Sequence, residues 1–483
     1  MSDIIPGMNL NGIDLTILVL YLAGMVGLGL YLGRHHKTAS DFMLGGRTCP
    51  WWVILCSIVA TETSTITFLA IPGLGWKSDL TFLQLPLGYI LGRLIVVVLL
   101  LPRYFKGTLY TAYEVLDTRF GGHVKQVASL LFIVTRTLGD GFRLYLGAIV
   151  LQKIAGIPLA YAVVGLGVAT IAYTFVGGMR AVLWTDFIQF IVYMAGAGIA
   201  FFVILKGIDG GWGMVVRLAQ TENKLRIINP GFDLTTNYLL WTGLIGGTVF
   251  AIATHGVDQM MVQRYLSARN QRDASLALAL SGPVVFIQFA FFLVIGTALF
   301  AFYTQHPPTE ALDVNEVFAA FIVNHLPVGV LGIVLGALFS AAMSTLSSSL
   351  NSAATALVND IAMPASRQDV TDQDRLRLAK TLTIVFGVAQ ITVGLTGERL
   401  GGSVVSAVLS IQGFTTGIIL GVFLLGMFTR QVSHCSALVG LVGGLGLMTV
   451  IAFYTALAWP WFVLVGSSAT FIIGIVASRI LGE

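Results

Sequence analysis

Charge is scarce in this sequence. Of 483 residues only 10% are Asp, Glu, Lys or Arg, against about 25% in a soluble domain, so the chain lacks the polar groups to coat two or three water-facing cores. Cysteine is rarer still: Cys49, Cys56 and Cys435 are an odd number at no metal-ligand spacing, which argues against a disulfide framework. No HExxH, GxSxG or P-loop occurs, and hydrolase and ATP-driven readings lose their support. Met1 to Asp14 lacks a basic n-region and a small-residue cleavage site, so the first apolar run is expected to remain as a span. A net charge of +4 is too small and too dispersed to suggest nucleic acid. Neither low-complexity tracts nor an obligatory protein partner are evident.

What is present is apolar surface. The composition is 56% hydrophobic and the mean hydropathy is +0.87, with polar residues gathered between long apolar runs, the pattern of a chain whose main solvent is lipid. A window of about 19 residues marks thirteen helical spans between Leu15 and Ile480. Seventeen lysines and arginines then fall in loops on one side and seven on the other. By the positive-inside rule the N-terminus is outside and the C-terminus cytoplasmic, a multi-pass protein of the cell (inner) membrane. The segment Tyr303 to Pro327 sets Val314, Val317, Phe318 and Phe321 at helical spacing and is expected to form an amphipathic helix.

Several ionisable residues lie where lipid should be: Glu62, Arg93, Arg136, Asp140, Arg143, Asp186, His255 and Asp258. Each charge at mid-bilayer costs roughly 2.5 to 3.5 kcal/mol on the insertion scale, so the group must face a wet cavity or one another. In the second span, Ala60-Thr61-Glu62-Thr63-Ser64-Thr65-Ile66-Thr67 is a poor regular helix, because β-branched threonines lose side-chain freedom there. A break near Ala60 to Ser64 is expected, with Pro72 and Gly73 ending the span. A break frees backbone carbonyls, which suit a sodium ion, and discontinuous helices are where transporters hold ions and solute. A packing face of small hydroxyl residues would explain the threonines but not Glu62.

The ninth span carries Ser344, Ser348, Ser352 and Thr355 on one helical stripe. These are hard oxygen ligands for a hard cation, or else a small-residue packing stripe. Arg136, Asp140 and Arg143 share one face of the fourth span; they form either a closed ion network or an arginine held ready for a solute carboxylate. Asp186 either completes a second cation site or caps its helix. An aspartyl intramembrane protease using Asp140 and Asp186 is disfavoured, because Thr137-Leu138-Gly139-Asp140 departs from the GxGD motif.

Taken together, the chain resembles the sodium:solute symporter family, whose members include sodium/proline, sodium/sugar, sodium/sialic acid and sodium/monocarboxylate carriers. The likeness rests on Asp41-Phe42-Met43-Leu44-Gly45-Gly46-Arg47, Thr61 to Phe68, Gly177-Gly178 with Trp184-Thr185-Asp186, Asp258-Gln259 with Val262-Gln263-Arg264-Tyr265, and Ser344 to Asn351. It implies an all-α membrane protein of LeuT-like fold: a 5+5 inverted repeat with one extra N-terminal helix and two extra C-terminal helices, thirteen transmembrane helices in a single domain. Residues 15–32 are then the extra helix, 52–205 and 238–428 the repeats, and 437–480 two peripheral helices. The sequence allows this, since spans two to six and seven to eleven are five apart and an odd shift reverses direction.

The resemblance further implies Na+ as the coupling ion, with a principal site on Ala60, Thr63, Ala341, Ser344 and Thr345. A second site, found in some members, would use Asp186, Ser344, Ser347 and Ser348. Solute candidates are Glu62, Ser64, Thr67, Gln84, Arg136, Arg143, His255 and Gln412. Pro86 stands where sialic acid carriers have a binding glutamine, which argues against that solute. Glu62 could meet a solute amine, a sugar hydroxyl or Arg136. The implied activity is sodium-coupled symport of a small polar organic solute (sugar, amino acid or carboxylate) by alternating access, without enzymatic chemistry. The alternative is a membrane solute sensor built on the same bundle.

Overall fold

The computed structural model describes residues 11–34, 38–308, 311–363, 370–397 and 404–482, with side chains omitted at 66, 150, 153–155 and 404–412. It is helical throughout. Eight described helices are long and apolar enough to cross a membrane, nine when a bent pair is taken as one span. Thirteen is not reached by that measure among the described residues, since other expected spans lie in helices that are broken, charged or only partly described, and two are merged in one helix of 48 residues. That helix, α6 (Leu159–Lys206), turns at Gly178, whose φ of +51° is a left-handed value open to glycine.

The helices that position the polar residues are α1 (Gly12–Gly33), α2 (Trp51–Glu62), α3 (Thr65–Lys77), α4 (Gln84–Leu99) and α5 (Gly122–Ala155). After α6 come α7 (Gly247–Gly256), α8 (Gln259–Leu266), α9 (Gln271–Gln305), α10 (Val317–His325) and α11 (Val330–Ala356). The chain ends with α12 (Asp372–Thr396), α13 (Val404–Phe428), α14 (His434–Tyr454) and α15 (Phe462–Ile480).

The second span breaks where the threonine run lies. Thr63 is extended, with φ −90° and ψ 93°, Ser64 caps the start of α3, and the two halves meet at 63°. Pro72 and Gly73 do not end the span as expected: α3 runs through both to Lys77, and Gly73 is packed so tightly on the Val314 backbone that a Cβ would lie 1.7 Å from its carbonyl. A proline is tolerated at this depth because neighbouring helices satisfy the backbone it frees. The seventh span, expected as one helix, is also broken. It parts at Val257–Asp258, and Asp258 restarts it by accepting the Met260 N–H at 2.9 Å, an ordinary N-cap.

At the centre stands α11, buried over almost its whole length and packed most extensively on α6. Small and hydroxyl-bearing side chains allow that approach: a Cβ on Gly196 would come within 2.6 Å of the Ala337 methyl. The expected amphipathic helix is α10, and it turns Val317, Phe318, Phe321 and Ile322 inward onto the bundle.

Candidate ion and solute site

The last turn of α2 loses its helical partners at the break, and α11 supplies replacements. The Ser344 hydroxyl donates to the Ala60 carbonyl at 2.9 Å. That of Thr345 lies 3.2 Å from the Thr61 carbonyl and 3.5 Å from that of Ala341. Thr63 is held from a third side: its Oγ1 donates to the Val59 carbonyl at 3.0 Å and accepts from Gln288 of α9, while Tyr193 of α6 lies 3.4 Å away. Ala60, Thr61, Ala341, Ser344 and Thr345 therefore share one buried junction of carbonyl and hydroxyl oxygens, beside the C-terminal end of α2, whose dipole favours a cation. Each hydroxyl can rotate from donating toward a carbonyl to presenting a lone pair to an ion.

Asp186 of α6 lies next to this junction, fully buried. Its Oδ2 accepts from Ser57 at 2.5 Å, from Thr61 at 3.3 Å and from the guanidinium of Arg264 at 3.1 Å. Among the described residues its Oδ1 has no hydrogen-bond partner, an unusual state for a buried carboxylate oxygen. Ser347 and Ser348 both donate to the Ser344 carbonyl, at 3.2 and 2.7 Å. Asp186, Ser344, Ser347 and Ser348 are thus brought together, and the unpartnered oxygen fits a cation. Arg264 is one of the seventeen lysines and arginines that the sequence places in loops on the cytoplasmic side. It is instead fully buried and donates to Ser57, Thr61, Asp186, Ser348 and the Met260 carbonyl.

The remaining intramembrane charges close into pairs. Glu62 receives Arg93 on both oxygens, Oε2 at 2.6 Å, and His255 Nε2 at 2.9 Å; Arg93 also donates to Ser281, and His255 Nδ1 lies 2.9 Å from the Tyr265 hydroxyl. Of the partners left open for Glu62, Arg136 is not the one the structure shows. Arg136 bonds Asp258 at the second helix break, with Asp140 at 4.0 Å, and Arg143 bonds Asp140. Each buried charge thereby faces its opposite rather than lipid. Arg136, Asp140, Arg143 and Asp258 border a space of about 20 Å³, room for roughly one water, so admitting a solute there requires the bundle to move.

Ser64 and Thr67 lie 3.4 Å apart at the start of α3, half-buried. Gln84 is engaged elsewhere: its amide bonds the Thr81 and Tyr238 carbonyls and the Asn229 N–H, none of them part of this cluster. The side chain of Gln412 lies outside the described residues. A cavity of about 1150 Å³ lies between Trp76–Asp79, 219–226 and Leu312–Val314 and is lined by none of the candidate residues.

Ser57, Tyr193, Arg264 and Gln288 escaped the sequence reading. Tyr193 and Gln288 sit in helices as single polar residues among apolar ones, whereas Arg264 follows Gln263 in the Val262-Gln263-Arg264-Tyr265 motif, which alone carried a signal.

Two helices broken beside buried charges, with freed carbonyls facing a hydroxyl-rich third, define a secondary transporter. Residues 42–444 match the sodium:solute symporter family, and the chain belongs to that family. The human sodium/iodide cotransporter is 30% identical over 467 residues, 92% of this chain and 70% of that one. The sodium/sialic acid symporter of Proteus mirabilis is 30% identical over 485 residues, 96% of this chain and 95% of that one. A solved substrate-bound, outward-open structure of a Na+-coupled sialic acid symporter matches with a TM-score of 0.88 at 28% identity, covering 97% of this chain and 98% of that one. The chain is a sodium-coupled symporter working by alternating access, a multi-pass membrane protein and not an enzyme.

Proposed function

We propose that this symporter carries its sodium between the end of α2 and the hydroxyl face of α11. The principal site is Ala60, Thr63, Ala341, Ser344 and Thr345, and a second is Asp186, Ser344, Ser347 and Ser348. The contact of the Ser344 hydroxyl with the Ala60 carbonyl carries this reading: sodium there joins a broken helix to the central one and so orders the solute pocket beside it. Ser64, Thr67, His255, Arg136 and Arg143 border that pocket, which opens and closes as the two repeats, 52–205 and 238–428, rock about it. Thirteen spans with the N-terminus outside and the C-terminus cytoplasmic accommodate those repeats, with 15–32 preceding them and 437–480 following. The membrane potential adds about 2.3 kcal/mol per charge per 100 mV to inward movement.

The solute is small and polar: a sugar, an amino acid or a carboxylate. Two relatives are named for iodide and for sialic acid, so iodide joins the candidates to be screened. A thermal-shift screen of these solutes, with and without sodium, identifies the ligand. Uptake into proteoliposomes under an imposed sodium gradient then tests the function, and equal uptake with potassium in place of sodium rejects the coupling.

A further inference from the structure

Arg264 contacts the groups assigned to the second sodium site. It reaches from α8, the far half of the second broken span, into the crossing of α2, α6 and α11. There it donates to Oδ2 of Asp186 at 3.1 Å, to Ser57 at 2.9 Å, and to Thr61 and Ser348. Two of these partners, Asp186 and Ser348, belong to the proposed site.

Ser348 is contested directly. Its hydrogen is spent on the Ser344 carbonyl at 2.7 Å, leaving two lone pairs, one of which already faces Arg264. Asp186 is contested electrostatically. Its Oδ1 accepts no hydrogen bond from the described residues and can take a cation, yet two monovalent cations on one buried carboxylate leave a net positive charge away from water, which is unfavourable.

We propose that Arg264 is a tethered cation that competes with sodium for Asp186 and Ser348, holding the second site while it lacks its ion and withdrawing as sodium enters. Because Arg264 belongs to α8 while its partners belong to α2, α6 and α11, sodium binding loosens one broken helix from the other, and sodium release restores the tie. Arg264 thus lowers sodium affinity at this site and keeps release from becoming slow.

The proposal rests on the second-site reading, and three variants separate the two. Purified wild type, Arg264→Gln, Arg264→Lys and Asp186→Asn are titrated with sodium chloride against choline chloride, following sodium affinity by calorimetry and the sodium-induced rise in Tm. With Arg264→Gln, sodium is the sole counter-charge of Asp186: affinity at this site is expected to tighten about tenfold or more, the sodium-induced rise in Tm to exceed that of wild type, and uptake to slow at high internal sodium. Arg264→Lys keeps the charge without the forked donors and falls between the two. Should Arg264→Gln fold only in sodium, that dependence supports the competition; should it not fold at all, Arg264→Lys decides by its affinity. Asp186→Asn is expected to abolish one sodium from the stoichiometry. Unchanged sodium stoichiometry in Asp186→Asn would sink the second-site reading and the proposal with it. Loss of a sodium there, with affinity no tighter in either Arg264 variant, overturns the competition alone.

Discussion

Ser344 and Ala60 are 284 residues apart in sequence and meet at 2.9 Å, a side-chain hydroxyl against a backbone carbonyl that a regular helix would have used internally. The contact exists because α2 ends at Glu62 while α11 continues unbroken past it.

Replacing Ser344 with Ala removes one oxygen from the junction. A hydrogen bond or ligand contact to a charged group is worth about 1.5 to 3 kcal/mol, so the half-saturating sodium concentration for uptake should rise roughly 10- to 100-fold. The loss in thermal stability without sodium is expected to be small, of order 1 kcal/mol. Unaltered sodium activation counts against the assignment.

Glu62 and Arg93 form an ion pair in which the Arg93 side chain is fully buried. Glu62→Gln leaves that guanidinium without its counter-charge, a loss of about 3 to 5 kcal/mol. The double variant Glu62→Gln with Arg93→Gln should recover part of it. Thermal unfolding in detergent measures both, and a double variant less stable than either single one refutes the pairing argument.

Gln288 holds Thr63 at the break together with Tyr193. Gln288→Leu deletes one hydrogen bond of about 0.5 to 1.5 kcal/mol from a residue assigned to the principal site. Sodium affinity should fall about 2- to 10-fold, with the thermal response to sodium weakened in proportion. A variant that unfolds more easily but binds sodium as before shows Gln288 to be only structural.

Glu114 lies in a short helix, Glu114–Phe120, outside the spans. Burial raises its carboxyl above the usual range, offset in part by the Tyr110 and Thr111 N–H groups it accepts. A carboxyl whose folded pKa is raised favours the folded state while protonated and loses that advantage as pH climbs from its unfolded value, about 4.3, through its folded one. Glu114→Gln should therefore gain stability relative to wild type as pH is raised from 4.5 to 7.5. A Tm difference that moves the other way means the hydrogen bonds outweigh burial.

The break between α2 and α3 was legible because its cause is local: three threonines within the five residues from Thr61 to Thr65 weaken a helix wherever it is placed. The break at Val257–Asp258 carries a weaker mark, Gly256 followed by the N-cap residue Asp258. Neither proline nor a β-branched run precedes it, and Asp258 caps a new helix while also bonding Arg136 from α5. The partner of Glu62 was hidden, since Arg93 and Arg136 both lie at membrane depth and only the packing of α4 against α7 and α9 selects Arg93.

Composition and order along the chain determined by themselves that the protein lives in lipid, that polar groups there must face a wet cavity or one another, and that the second span cannot run straight. These follow from solvation and backbone preference, which act residue by residue. Which charge meets which, that Arg264 is a buried cation rather than a loop charge, and that Asp186 keeps an oxygen with no partner among the described residues were decided only by tertiary structure. Coulomb and hydrogen-bond energies depend on distances between segments far apart in the chain, and only packing sets those distances.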